Sequence, residues 1–148
     1  IRDSIRSLNN VGSVFRTSDA FLIEKIYLCG ITAIPPNREI HKTALGATES
    51  VDWEHKEDTL ALVKKLKSEG IVVAAIEQAE SSIMLDKFSL ESNKKIAIVF
   101  GNEVKGVQQE VVSESDYCVE IPQKGTKHSL NISVSCGVVL WDLCQKIQ

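Results

Sequence analysis

The chain has few cysteines, few aromatic residues and little excess of either charge. Its four cysteines include no C-x-x-C pair and lie within apolar runs, so we expect buried free thiols in a reducing compartment, without a disulfide framework or a zinc site. A formal net charge of −3 argues against a protein that coats nucleic acid by bulk electrostatics, although it leaves room for a local basic site. The sequence also shows no signal peptide and no apolar run long enough to cross a bilayer. We therefore expect a cytoplasmic protein without a membrane partner.

The length and composition predict one globular domain. The 148 residues are 43% hydrophobic and 25% charged, which is enough to bury a sizeable core within a single domain, residues 1–148. The chain begins at Ile1 rather than Met, and we expect that N-terminal residues are missing from it. Apolar segments alternate with helical ones, which predicts an α/β fold with a mostly parallel sheet flanked by helices. The predicted strands are residues 25–31, 71–76, 96–100 and 117–121, and the predicted helices are residues 9–22, 41–47, 58–70, 107–114 and 129–147.

Three of these helices carry apolar residues at helical spacing. Asn10 is expected to cap the first, Asp58 or Thr59 caps the one at 58–70, and Gly70 ends that helix. The faces expected to pack are Val11, Val14, Phe15, Ser18 and Leu22 in the first helix, Leu60, Val63 and Leu66 in the next, and Leu130, Val134, Val138, Trp141 and Cys144 in the last.

Polar residues follow three of the predicted strands. Glu77 follows the strand at 71–76, Gly101-Asn102-Glu103 follows the next, and a loop from Ile121 to Asn131 follows the last. Because ligands bind at the carboxyl edge of parallel strands, these loops are expected to converge on one site. Ser129 is most simply a helix N-cap. Asn131 is harder to explain structurally, since Asn is a poor helix former.

Three sets of residues, in this order along the chain, carry a resemblance to a known family. They are Asn10 with Arg16, Gly101-Asn102-Glu103 with Gly106, and Ile121-Pro122 with Ser129-Leu130-Asn131. In these the chain resembles the SpoU (TrmH-like) branch of the SPOUT methyltransferases, which transfer a methyl group from S-adenosylmethionine to a ribose 2′-hydroxyl of tRNA or rRNA. The resemblance covers nearly the whole chain. It departs from the family at Gln123, where Met is usual.

The resemblance implies a fold, a cofactor and partners. The fold is a parallel sheet with a deep trefoil knot in its C-terminal part, and the expected partners are a tRNA or rRNA substrate and a second copy of the chain in a homodimer, with no DNA. No metal is implied. The residues implied to contact S-adenosylmethionine are Ile76, Glu77, Gln78, Gly101, Asn102, Glu103, Ile121, Ser129 and Leu130.

The resemblance also implies roles in the reaction. The implied catalytic residues are Arg16, Glu103, Asn131, Ser129 and Asn10. Since a guanidinium pKa exceeds ~12, Arg16 is not expected to act as a base, and it is expected instead to stabilise and orient the developing alkoxide. It can act across the dimer interface. Glu103 and Asn131 are expected to hold Arg16 and the ribose in position. The residues expected to bind RNA are Arg16, Arg38, Lys42, Lys105 and Lys127, with Arg2 and Arg6 in neighbouring segments.

Two other function classes compete with this interpretation. One is a catalytically inactive SPOUT-like protein that binds RNA or assists assembly, which the intact motif residues disfavour. The other is a nucleotide-binding enzyme, but no G-x-G-x-x-G follows the first strand and no G-x-x-x-x-G-K-[ST] is present.

Overall fold

The computed structural model describes residues 1–126 and 129–147. Strands and helices alternate along the chain, as predicted, and seven strands and six α-helices are found in the described residues. The strands are β1 (Arg2–Asp3), β2 (Lys25–Cys29), β3 (Asp52–Lys56), β4 (Val72–Ile76), β5 (Ile83–Met84), β6 (Ile96–Val99) and β7 (Tyr117–Glu120). The helices are α1 (Leu8–Ala20), α2 (Arg38–Ala44), α3 (Ala47–Ser50), α4 (Thr59–Ser68), α5 (Gln109–Glu114) and α6 (Ile132–Ile147).

All strand pairings between these elements are parallel. Three strands form one sheet in the order β1-β2-β3, and four form another in the order β5-β7-β4-β6. A bridge between Arg2 and Phe100 joins the two sheets, and the Asp3 amide donates to the Phe100 carbonyl at 2.9 Å. The carboxyl ends of the strands therefore share one edge, which confirms the predicted mixed α/β class with parallel strands.

Helix α1 begins earlier than predicted and has a different cap. Ser7 is the N-cap, because its extended backbone precedes the helix and its Oγ accepts from the Asn10 amide at 3.2 Å. The predicted cap, Asn10, is instead inside the first turn. Val11 and Phe15 are buried with the rest of the predicted face, but Leu22 is 90% exposed. It lies past the end of the helix in a left-handed conformation, with φ of 53°, so it leaves the buried stripe.

Helix α6 packs on the face opposite to the predicted one. Its buried residues are Ser135, Cys136, Val139, Leu140 and Leu143. The predicted face is open to solvent, since Val134 is 52%, Val138 39% and Trp141 56% exposed. Apolar residues cover both sides of this helix, so periodicity alone could not select the buried side.

The middle of the chain agrees with the prediction in part. Asp58 caps α4 through a bond from the Ala61 amide at 3.1 Å, and Gly70 follows the helix with φ of 82°. Leu62 is buried beside Val63 and Leu66, while the predicted Leu60 is only partly buried. None of the described helices combines the length and the hydropathy that crossing a membrane requires.

Two predictions for the residues before α4 are corrected by the structure. Asn37 caps α2, because its side chain accepts from the Glu39 amide at 2.9 Å, so the helix predicted at 41–47 begins at Arg38 and ends at Ala44. Strand β3 was not predicted. It pairs with β2 at the edge of the sheet and contains one large apolar residue, Trp53, so it lacks the alternation that identifies strands in a sequence.

Candidate functional site

A pocket of about 490 Å³ lies where β4, β6 and β7 end. The predicted convergence of the three loops is therefore confirmed. The pocket lining includes all nine residues that were predicted to contact a cofactor, namely Ile76, Glu77, Gln78, Gly101, Asn102, Glu103, Ile121, Ser129 and Leu130. Asn10 and Asn131 line it as well.

The loop after β6 is fixed by Asn102. Its side-chain Oδ1 accepts from the amides of Val104 and Lys105 at 2.8 and 3.0 Å, and its Nδ2 donates to the Ser4 carbonyl at 2.8 Å. The main chains of Asn102 and Gly106 also exchange two hydrogen bonds. Asn102 therefore closes the turn on itself and ties it to the segment before α1.

The two glycines of this loop are required for different reasons. A Cβ built on Gly101 would lie 2.1 Å from the Gly106 carbonyl carbon and 2.2 Å from the Val107 nitrogen. Gly106 has φ of +71°, and a Cβ there would lie 2.2 Å from Oε2 of Glu77. A side chain at Gly101 would therefore meet backbone atoms that cannot turn aside, whereas Gly106 is required chiefly by its positive φ, because the Glu77 carboxylate is the end of a flexible side chain.

Glu77 connects the loops of the pocket. Its carboxylate accepts from the Val107 amide and from the Gln78 amide, each at 3.0 Å. Its own amide donates to the Val119 carbonyl at 3.1 Å, and its carbonyl accepts from the Cys118 thiol at 3.4 Å. One residue after β4 thus contacts the segments that follow β6 and form β7.

A polar cluster of Asn10, Glu103 and Asn131 joins distant parts of the chain. Asn131 donates through Nδ2 to Oδ1 of Asn10 at 3.3 Å. Glu103 accepts from the Ser7 amide at 3.0 Å and from the Arg6 amide at 3.2 Å. Burial alone would raise the pKa of Glu103, but these backbone bonds and a bond from the Asn10 side chain outweigh it, so the pKa lies below its ordinary value.

Asn131, and not Ser129, is the N-cap of α6. Its Oδ1 accepts from the Ser133 amide at 2.9 Å and from the Val134 amide at 3.4 Å. Its carbonyl accepts from the Ser135 amide. The structural interpretation of Ser129 as a cap is therefore wrong, and Ser129 lies in the pocket wall two residues before the cap.

Arg16 does not reach this pocket within one copy of the chain. It is exposed in the middle of α1, is absent from the pocket lining, and makes no hydrogen bond or ion pair with any described residue. Glu103 and Asn131, which were expected to hold it, contact Arg6, Ser7 and Asn10 instead.

The remaining basic residues lie in different environments. Lys105 lines the pocket, while Arg38 and Lys42 are exposed on α2, where Lys42 pairs with Glu39 at 3.0 Å. Lys127 lies outside the described residues. Arg2 is 1% exposed beneath the ring of Phe100, and burial lowers its pKa to about 10, so it is not available to an RNA.

Several lining residues were not among the predicted contacts. Glu120, Gln123 and Ser135 line the pocket. Glu120 directly precedes Ile121 and Gln123 follows it by two positions, so a window of two residues on either side of each strand end would have included both. Ser135 depends on the rotation of α6, which the sequence did not fix. No group of metal-ligating side chains occurs among the described residues.

The chain is similar to known proteins over nearly its whole length. Residues 1–141 match the model of the SpoU rRNA Methylase family. A Borreliella burgdorferi protein named an uncharacterized tRNA/rRNA methyltransferase is 28% identical over 98% of this chain and 62% of its own length. A Staphylococcus aureus protein provisionally named a TrmH family tRNA/rRNA methyltransferase is 27% identical over 99% of this chain and 58% of its own. The chain thus spans about three fifths of the length of these relatives.

Solved structures share the fold. An AdoMet-bound rRNA methyltransferase from Sinorhizobium meliloti superposes with a TM-score of 0.87 at 26% identity, over 95% of this chain and 53% of that one. The TrmH/SpoU tRNA modifying enzyme of A. aeolicus superposes with a TM-score of 0.87 at 24% identity, over 98% of this chain and 72% of that one.

Proposed function

Because the chain belongs to the SpoU rRNA Methylase family, we propose that it transfers a methyl group from S-adenosylmethionine to a ribose 2′-hydroxyl of tRNA or rRNA. The observation that carries the proposal is the pocket at the ends of β4, β6 and β7, which gathers all nine residues predicted to contact the cofactor. A relative at 26% identity with the same fold binds AdoMet.

The residues of the pocket fit this cofactor. Its volume lies within the range of about 300–1,000 Å³ that is usual for small-molecule sites. S-adenosylmethionine, when bound, supplies a methyl group activated by a positively charged sulfur. Glu77, Glu103 and Glu120 give the lining a negative character, which suits a cationic ligand.

The proposed chemistry at the RNA uses Arg16 and the polar cluster. A ribose hydroxyl must lose a proton as it attacks, and a guanidinium cannot accept it. Arg16 therefore stabilises the developing alkoxide and binds the neighbouring phosphate, while the proton passes to phosphate or water. Asn10, Ser129 and Asn131 orient the ribose, and Glu103 keeps the segment before α1 in place.

Arg16 is proposed to act in the pocket of a partner subunit. It is exposed and outside its own pocket, and α1 packs beside α6, whose outward face carries Val134, Val138 and Trp141. An exposed apolar stripe of this kind fits a symmetric interface between two copies. The proposed assembly is a homodimer in which each pocket receives Arg16 from the other chain.

A complementation experiment tests this arrangement. Arg16→Ala and Asn131→Ala are each expected to be inactive alone. Refolding them together should restore about a quarter of the wild-type activity, because half of randomly mixed dimers are hybrids and each hybrid has one intact site. If the mixture stays inactive while hybrid dimers are present, Arg16 acts within its own chain or not at all.

RNA binding is proposed to be local and dependent on salt. Arg16, Arg38, Lys42, Lys105 and Lys127 are the proposed contacts to phosphates. Their few charges on a chain of net charge −3 predict modest affinity that falls steeply as salt rises.

Three further features are proposed because membership of this family implies them. Residues 1–148 form one methyltransferase domain, its C-terminal part is threaded as a trefoil knot, and the protein works in the cytoplasm, where its free thiols would stay reduced. A continuous experimental trace of residues 76–147 tests the knot, which an unthreaded path would refute.

The decisive test of the activity is methyl transfer from radiolabelled S-adenosylmethionine. Purified protein, with Arg16→Ala beside it, is given tRNA and rRNA fractions that lack the modification. Label recovered in an alkali-resistant dinucleotide from one fraction, and lost in the variant, supports both the chemistry and the substrate class. Cofactor binding without any transfer would point to a missing substrate or partner, and no cofactor binding at all would favour the inactive RNA-binding alternative.

A further inference from the structure

Glu77 makes an unusual set of contacts for a pocket residue. Its amide and carbonyl bond to β7, and both of its carboxylate oxygens accept backbone N–H groups, one of them from Val107 in the loop after β6. The Glu77 amide extends the pairing of β4 with β7 by one residue, and the Glu77 carboxylate reaches the loop after β6. Glu77 therefore joins the paired strands β4 and β7 to that loop.

The contact with the loop after β6 is close and charged. An N–H group that donates to a carboxylate forms a bond roughly twice as strong as a neutral one. The carboxylate lies directly over Gly106, where a Cβ would approach Oε2 to 2.2 Å, and the positive φ of Gly106 turns the Val107 amide toward it. The shape of the loop at residues 106 and 107 therefore matches the position of the Glu77 carboxylate.

Different residues hold the two ends of this loop, and the paired main-chain bonds between Asn102 and Gly106 tie the ends together. Asn102 fixes the beginning of the turn through the Val104 and Lys105 amides and the Ser4 carbonyl. At the other end, the Val107 amide has the Glu77 carboxylate as its partner. Removal of that acceptor would release one side of a loop whose residues line the pocket.

We propose that Glu77 is a positioning residue that holds residues 101–107 in the form that binds the cofactor. The proposal rests on the proposed function for the identity of the ligand, but the contact itself exists in the free protein. Glu77 thereby sets the affinity for S-adenosylmethionine, whereas the methyl-transfer rate of the loaded enzyme depends on other residues.

The test compares Glu77→Ala and Glu77→Gln with the wild type. Glu80 is exposed three residues further along the same loop, so Glu80→Ala is the matched control. Hydrogen exchange of the Val107 amide is measured in the free protein, calorimetry gives the Kd for S-adenosylmethionine, and single-turnover transfer at saturating cofactor gives the chemical rate.

We expect exchange at Val107 to be about tenfold faster or more in Glu77→Ala, since a bond to a charged acceptor is lost. The Kd should rise at least about tenfold while the single-turnover rate changes by less than about twofold, and Glu77→Gln should recover part of both losses because it keeps one acceptor oxygen. Glu80→Ala should match the wild type.

The positioning role of Glu77 and the proposed function can be refuted separately. Unchanged Val107 exchange in Glu77→Ala would overturn the positioning role, whatever the ligand. A lower transfer rate with an unchanged Kd would also overturn it. If the wild type binds no S-adenosylmethionine, the proposed function fails, and the exchange data alone then decide whether Glu77 holds the loop.

Discussion

Replacing Gly101 by alanine should damage the pocket through sterics alone. Gly101 does not have a positive φ, so the backbone conformation itself accepts an alanine. The new Cβ, however, would lie 2.1 to 2.3 Å from backbone atoms of Gly106 and Val107. These atoms cannot rotate away as the end of a side chain can, so the loop itself must move.

The size of the movement follows from the distances. Real Cβ contacts stay above 3.0 Å, so the two sides of the loop must separate by about 0.9 Å from their present 2.1 Å. That shift would break the paired bonds between Asn102 and Gly106, now 2.9 and 3.0 Å long. Overpacking of this kind costs about 1–3 kcal/mol of unfolding free energy, and a displacement near 1 Å in a binding site can cost up to about 100-fold in function.

Two measurements check this reasoning. Urea unfolding gives the change in stability, and calorimetry gives the Kd for S-adenosylmethionine, which we expect to rise by about 10- to 100-fold. Gly125→Ala is the control, because its Cβ would meet nothing within 4 Å. If Gly101→Ala binds S-adenosylmethionine as tightly as the wild type, the loop yields to the added Cβ and close packing is not what requires glycine at this position.

Three other predictions concern packing, pH and capping. Gly12→Ala should lower the unfolding free energy by about 1–3 kcal/mol, since its Cβ would lie 2.3 Å from the Ile40 carbonyl oxygen. Gly137→Ala, whose Cβ would have its nearest atom at 3.9 Å, should leave the unfolding free energy unchanged or raise it by up to about 1 kcal/mol. Equal effects of the two variants in denaturant titrations would contradict this prediction. Because the pKa of Glu103 is lowered, its ionised carboxylate stabilises the folded chain above the ordinary glutamate pKa, and this stabilisation is lost as pH falls below that value. Glu103→Gln should therefore lose less stability than the wild type between about pH 5 and pH 3. Parallel curves of stability against pH for the two proteins would disprove this. Asn131→Ala should lower stability by about 1 kcal/mol through loss of the helix cap, measured by thermal melts beside Ser129→Ala, which should have little effect.

The site was predictable because its residues stand where apolar runs end. The run at 96–100 stops at Gly101, and the runs ending at Ile76 and Ile121 are also followed by polar residues. In a parallel sheet these positions must share an edge. Sequence order and strand direction were therefore sufficient to predict that the three loops meet, whereas the individual contact residues came from the family resemblance.

The rotation of α6 and the starts of helices were not predictable in the same way. Val134 and Val139 are equally apolar, and only the packed structure shows that the second is buried and the first exposed. Ser129 and Asn131 are both good caps, and the choice between them depends on where the loop meets the helix. β3 was missed because an edge strand with one apolar residue resembles a loop in sequence. The position of Arg16 outside its own pocket depends on helix orientation, which motif spacing does not encode.

The hydrogen bond between Asn10 and Asn131 has a consequence for synthesis. The two residues are 121 positions apart, and a ribosome adds about 5–20 residues each second, so roughly 6–24 s pass between the appearance of the first and of the second. Throughout that interval α1 exists without the partner that completes its end of the pocket. β4 likewise lacks its neighbours until β6 and β7 have been synthesised, since both follow it in the chain and pair on either side of it. A growing chain therefore cannot assemble the pocket early, and the pocket is complete only once residues 10–131 have all left the ribosome.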